Sequence, residues 1–143
     1  VKKYLNKISG PLLDRIDLHV EVTPVSIDEL SRNEIESEKS FDIRERVIRA
    51  RQIQEERFAH LEGVHSNTLM PSHLVREICV IDAAGTSLLK TAMKKLQLSA
   101  RAYDRILKVS RTIADLEGSK TIEIPHLAEA IHFRSLDREE WAG

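Results

Sequence analysis

Only one stretch of the chain alternates. Residues 16 to 22, IDLHVEV, place Ile16, Leu18, Val20 and Val22 at every second position, and Pro24 closes the run. Downstream, only the short Thr121-Ile122-Glu123-Ile124 is at all comparable. A strand needs a neighbour to pair its backbone N–H and C=O groups. Residues 1 to 24 are therefore expected to be the last edge of an α/β unit whose other strands lie upstream, and the rest of the fold must be helical. The opening Val1 is followed by KKYLNKISG, which reads as the tail of an amphipathic element, so the chain is expected to be a piece of a longer protein.

From Ser26 to Ser40 the sequence is polar and acidic and reads as a helical turn followed by a linker. Ser40 is the expected cap of a long helix over 41 to 62, in which Ile43, Val47, Ala50, Phe58 and Leu61 fall near helical spacing. Five acids (Asp42, Glu45, Glu55, Glu56, Glu62) and five arginines (Arg44, Arg46, Arg49, Arg51, Arg57) surround that stripe, which predicts a solvated, salt-bridged outer face. Pro71 then starts a helix through Leu74, Val75, Ile78 and Cys79, and Asp82 to Gln97 forms another. Ser99 caps ARAYDRILKVSRTIADLE, and Gly118 stands where a left-handed residue is wanted. Pro125 lies in the first turn of the last helix, PHLAEAIHFRS. The fold class is thus mainly α: a bundle of four or five helices preceded by one residual strand. The expected division is 1–24 for the core edge, 25–40 for the linker and 41–143 for the helical domain.

Charge sets few limits, because 22 Lys and Arg balance 23 Asp and Glu. A single cysteine, Cys79, lies in an apolar run; it excludes an internal disulfide and leaves no Cys/His spacing suited to zinc. The six histidines recur at no metal-binding or general-base spacing. No apolar run approaches the roughly 20 residues that span a bilayer, so a cytoplasmic location without membrane contact is expected. Neither a Gly-x-x-x-x-Gly-Lys-Ser/Thr phosphate loop nor a Gly-x-Ser-x-Gly elbow is present, so these residues alone could not work as a nucleotide hydrolase.

Two arginines break local rules. Arg15 sits between Asp14 and Asp17 at the entry to the strand, where the plain reading is an exposed ion pair. Arg101 stands in the first turn of its helix, where the backbone already presents partial positive charge and acids are preferred. Arg105, Lys108 and Arg111 follow on the same side; over residues 90 to 120 the balance is eight basic to three acidic residues, or +5. A cation at a helix N-terminus makes sense if an anion binds there, or if Arg101 pairs with an acid on a neighbouring helix.

The segments LNKISGPLLDRIDLHVEVTPVSIDEL, IRERVIRARQIQEERF and LSARAYDRILKVSRTIADLEGSKTIEIPHLAEAIHFRSLDREEW closely resemble the C-terminal portion of the magnesium-chelatase-like AAA+ ATPases of the ComM/YifB type. The resemblance covers nearly the whole chain and is weakest at 26 to 40 and around 60 to 75. It implies a helical lid that closes on ATP and Mg2+ held by an α/β core. By that resemblance Arg15, in Leu12-Leu13-Asp14-Arg15-Ile16-Asp17-Leu18, matches the arginine finger that reaches a neighbouring subunit. Arg101, in Ser-Ala-Arg, matches the sensor-2 arginine, with Arg105 as second choice. The partners it implies are further copies of the same protein in a ring, on the family pattern a hexamer, and DNA. Phosphate loop, metal-binding acids and sensor-1 residue would lie upstream of Val1, leaving this segment inactive alone and with no cofactor of its own. Two other readings stand beside this one: a fragment of a magnesium-chelatase motor subunit, and a free-standing helical module that binds nucleic acid through Arg105, Lys108 and Arg111.

Overall fold

The computed structural model describes residues 12, 15–20, 22–27 and 37–134. Five α-helices make up most of this: α1 (Ser40–Phe58), α2 (Ser72–Ile78), α3 (Ala83–Lys95), α4 (Ala100–Glu117) and α5 (Ile124–His132), with a short 3-10 turn at Asn67–Leu69. The mainly helical expectation holds, and α4 is its centre: α1, α2, α5 and the 3-10 turn all pack on α4, while α3 packs on α5.

Local chemistry explains most boundaries. Ser99 Oγ accepts the Ala102 N–H at 3.2 Å and so satisfies one of the amides that open α4. At the other end Gly118 adopts φ 74° and its N–H reaches back to the last turn, closing the helix as a left-handed cap. The Asp82 carboxylate accepts the Gly85 N–H at 2.6 Å to start α3. The cap of α1 differs from the expectation. Lys39 is the N-cap and Ser40 is already helical, because the Lys39 carbonyl accepts the Asp42 N–H at 3.0 Å and the chain turns one residue early. The helix also stops at Phe58 rather than at 62: Leu61 N–H bonds the Phe58 carbonyl at 2.8 Å, and Gly63 follows at φ 76°.

The core joins Phe58 of α1, Met70, Val75 of α2, Leu89 of α3, Ile106 and Leu107 of α4, and Leu127 of α5. Each such side chain removed from water contributes about 1.5–3 kcal/mol. The N-terminal half of α1 stands outside this core: only Ala50, Gln54 and Phe58 of that helix are buried.

The alternating segment pairs with no strand among the described residues. Residues 15–20 and 22 carry no ladder, and Leu18, Val20 and Val22 are exposed while His19 is half-buried. A backbone bond joins it to the bundle, from the His19 N–H to the Phe133 carbonyl at 2.9 Å, beside the side-chain contacts described below. Alternation alone cannot make a strand without a partner strand, and none is present among the described residues. The second alternating run also resolves differently. Ile122 is buried, and Ile124 begins α5.

Candidate functional site

A buried charged centre holds α4 in place. The Asp115 side chain is fully buried, and it accepts from Arg57 NH1 at 2.8 Å, from Asn67 Nδ2 at 2.8 Å and from Arg111 Nε at 3.1 Å, with a further close contact to Arg57 NH2. Arg111 spends its remaining donors on the Lys120 carbonyl at 3.0 Å and the Ser119 carbonyl at 2.6 Å. Asn67 is itself tied to α1 and α4: its N–H donates to Gln54 Oε1 at 3.1 Å and its Nδ2 to Thr112 Oγ1 at 3.1 Å. Burial lowers the Arg111 pKa from its ordinary value, and the Asp115 carboxylate opposes that shift.

Two expectations change here. Arg57 does not lie on a solvated face; it reaches across from α1 to a buried carboxylate. Arg111 is not a surface cation available to nucleic acid, being only 3% exposed and bonded inside the fold. Arg57 reads as surface from sequence because the acid that holds it, Asp115, lies 58 residues further on. One signal was available: the i, i+4 spacing of Arg111 and Asp115.

A cleft of about 630 Å³ opens along α4, from Arg101 to Leu116, against residues 17 and 18, Thr68, Ser72, Glu129 and Phe133. Arg101, Arg105 and Lys108 line it together with Asp17, Asp104 and Glu129. The three cations differ in how far they are committed. Lys108 Nζ donates to the Thr68 carbonyl at 2.9 Å. Arg105 NH1 donates to the Arg15 carbonyl at 2.7 Å and to the Asp17 carboxylate. Arg101 is exposed in the first turn of α4 and has no carboxylate partner among the described residues. The neighbouring acid, Asp104, accepts a hydrogen bond from Ser72 Oγ at 2.7 Å instead.

Of the candidate site residues, Arg101 and Arg105 therefore share one cleft, and the main chain of Arg15 is held at its edge through Arg105. The Arg15 side chain is exposed. Asp17, one of its two expected partners, pairs with Arg105, and Asp14 lies outside the described residues. The cleft combines an arginine, a helix N-terminus and apolar walls from Leu18, Val109 and Phe133. Asp104 and Glu129 line it too, so chemically it is a cleft of mixed charge with apolar walls, in which Arg101 is the cation least committed to the fold.

Two further features bear on chemistry. His126 is buried, and its Nδ1 accepts the Glu123 N–H at 2.9 Å, so Nε2 carries the proton that Glu117 Oε2 accepts at 2.8 Å. That histidine caps α5 and leaves no ring nitrogen for a metal. Burial pushes the Cys79 thiol up to about 11, which makes it unreactive in the fold.

No helix among the described residues is long and apolar enough to cross a membrane. A search for similar proteins matched residues 37–134 to the family described as magnesium chelatase, subunit ChlI C-terminal, and residues 1–30 to magnesium chelatase, subunit ChlI. The competence protein ComM of Haemophilus influenzae is 42% identical over 96% of this chain. The YifB protein of Escherichia coli, described as uncharacterized, is 38% identical over 95% of it. In both cases the chain spans 26% of the relative's length, about a quarter. The first match covers more than half of the chain and coincides with the helices built around α4, and on that basis the chain belongs to the magnesium-chelatase ChlI C-terminal family.

Proposed function

We propose that this chain is the lid region of an AAA+ ATPase, working in the cytoplasm as part of an oligomeric ring, a hexamer on the family pattern. In this reading residues 1–24 end the ATPase core, 25–40 link, and 41–143 form the lid; what supports the division is that the two family matches stop and start around residues 31–36. Arg101 is the sensor-2 residue that meets nucleotide phosphate, and Arg15 is the finger offered to a neighbouring subunit. The observation that carries the reading is the cleft in which Arg101 stands unpaired with any described carboxylate at the N-terminus of α4.

Such residues have a defined task. Charge spreads over the oxygens of a transferring phosphoryl group, and a planar guanidinium that is always charged matches it with several donors. Supplied in trans, an arginine finger is worth about 10³–10⁵ in rate. A lid arginine whose contact depends on the γ-phosphate makes lid closure depend on nucleotide state, which couples hydrolysis to movement. Magnesium would enter with ATP and neutralise phosphate charge. In this reading its protein ligands belong to the core, as the resemblance implies.

DNA as the remodelled substrate is what the resemblance to the ComM/YifB type implies; the name of the Haemophilus relative ties that protein to competence only. The reading of a free-standing nucleic-acid module draws less support, because Arg111 is buried and Lys108 and Arg105 are bonded to main-chain carbonyls. A magnesium-chelatase motor subunit remains the second family reading, with the same arginine roles. One observation also favours a variant of the site assignment. The main chain of Arg15 is held by Arg105, which lines one cleft with Arg101, and this suits Arg15 and Arg101 acting on the same nucleotide rather than on two.

The test is ATP turnover by the full-length protein carrying Arg15→Ala. Retained nucleotide binding with turnover reduced by about 10³ or more, partly restored by mixing with a phosphate-loop variant, is the expected result. Normal turnover would sink the finger assignment. In the mixing experiment, an Arg101→Ala protein that is rescued in the same way places both arginines in trans; one that is not rescued places Arg101 in its own subunit.

A further inference from the structure

The stretch that carries Arg15 is fastened to the helical bundle at three points. Arg105 NH1 on α4 donates to the Arg15 carbonyl at 2.7 Å and to the Asp17 carboxylate. Arg134, just past α5 and only 1% exposed, donates from NH1 to the Ile16 carbonyl. The His19 N–H donates to the Phe133 carbonyl at 2.9 Å. Two guanidinium groups thus grip consecutive main-chain carbonyls, at Arg15 and Ile16, while the Arg15 side chain is exposed.

The Arg105–Asp17 pair does little for stability: the Arg105 side chain is 25% exposed and that of Asp17 50%, and ion pairs wet to this degree contribute little. What the contacts do fix is direction. A backbone held at successive carbonyls has a set orientation, and the side chain that leaves it starts from a set point.

We infer that Arg105 is a positioning residue and not a phosphate ligand: it clamps the Arg15–Asp17 peptide to α4, so that the helix bearing Arg101 sets where Arg15 reaches. This rests on the reading of Arg15 as a finger. Its consequence is mechanical. Any shift of α4 that follows nucleotide contact at Arg101 carries the Arg15 segment with it, and phosphate state at the lid is passed on to the geometry of the finger. A displacement of about 1 Å at a reacting group can cost on the order of 10²-fold in rate, so the clamp need not move Arg15 far to switch it.

The test uses the full-length protein with Arg105→Ala, Asp17→Asn, Arg15→Ala and the Arg15→Ala/Arg105→Ala double variant, read by ATP turnover, by affinity for a fluorescent ATP analogue and by amide hydrogen exchange at His19. Arg134 is left alone because its burial makes loss of folding the expected outcome. Arg105→Ala and Asp17→Asn should each lower kcat by about 10- to 100-fold while affinity for the analogue changes by less than about threefold. Exchange at His19 should quicken in both. The double variant should be no slower than Arg15→Ala, since a residue that acts through another adds nothing once that other is gone. Losses that multiply, or a tenfold drop in affinity for the analogue on Arg105→Ala, would overturn the clamp and return Arg105 to the phosphate. If Arg15→Ala turns over normally, the finger reading has failed, and exchange alone decides: faster exchange at His19 in Arg105→Ala keeps the clamp, and unchanged protection removes it.

Discussion

Replacing Asp115 by alanine should be among the most damaging single changes the bundle can suffer at a polar position. Three donors converge on its carboxylate: Arg57, Asn67 and Arg111. They do not lose equally. Arg57, with 19% of its side chain exposed, can turn toward water, and Asn67 keeps its bond to Thr112. Arg111 cannot recover, because it is 3% exposed and its two other bonds go to neutral carbonyls. One partner lost from a buried ion pair costs about 3–5 kcal/mol, mostly from the charge left behind. Since Arg111 retains two carbonyl acceptors, the lower end applies, about 3 kcal/mol. That is a large part of the roughly 5–15 kcal/mol of a whole domain. Arg57→Ala leaves Asp115 with Arg111 and Asn67, so its cost should be that of hydrogen bonds to a charged group, about 1.5–3 kcal/mol. Urea unfolding followed by far-UV circular dichroism on the chain and both variants gives the comparison. If Asp115→Ala costs less than Arg57→Ala, or if its cost falls away in high salt as an exposed pair's would, the account of a buried charge centre is wrong.

Three smaller perturbations separate local causes. Gly118→Ala meets no atom within 4 Å but must hold φ 74°, so the loss seen in urea unfolding should be the backbone penalty alone, about 1–2 kcal/mol, whereas Ser99→Ala should cost about 1 kcal/mol through the lost cap at α4. Leu127→Ala, at a fully buried position where α5 meets α3 and α4, should cost about 2–5 kcal/mol by the same measurement, the upper end marking a cavity that does not close. The Cys79 thiol ionises in the unfolded chain near pH 8.5 but in the fold only near about 11. Over that window the unfolded state has fewer bound protons than the native one, so stability should fall with rising pH, and Cys79→Ala should flatten that slope.

Much of the helical frame was legible from single residues whose reasons are local. Ser99, Gly118 and Pro125 mark helix ends because an orphan amide, a left-handed φ and a missing N–H act within a few residues. What escaped were pairings set by distance along the chain. Arg57 and Asp115 meet across 58 residues, and nothing near Arg57 distinguishes it from Arg44, Arg49 or Arg51 on the same helix. The segment from Ile16 to Val22 is a different case. Its alternation is a true local signal, but a strand also needs a partner, which local pattern does not supply.

The basic stripe of α4 shows why a charge count could not assign function. Arg101, Arg105, Lys108 and Arg111 look equivalent by spacing, yet depth and partner divide them. Arg111 turns into the core and is consumed by Asp115 and two carbonyls. Lys108 and Arg105 reach sideways to the main chain of the Thr68 turn and of the Arg15 segment, joining pieces far apart in sequence. Arg101 stands exposed at the helix N-terminus, where the amides already repel it, where the first turn holds no acid and where none of the described carboxylates bonds it. At an exposed position that mismatch costs only about 0.3–1 kcal/mol, so it does not by itself assign a ligand. The neighbours on the stripe are explained by the fold and Arg101 is not, which is why the proposed phosphate contact is placed there and why Arg101→Ala is the informative variant.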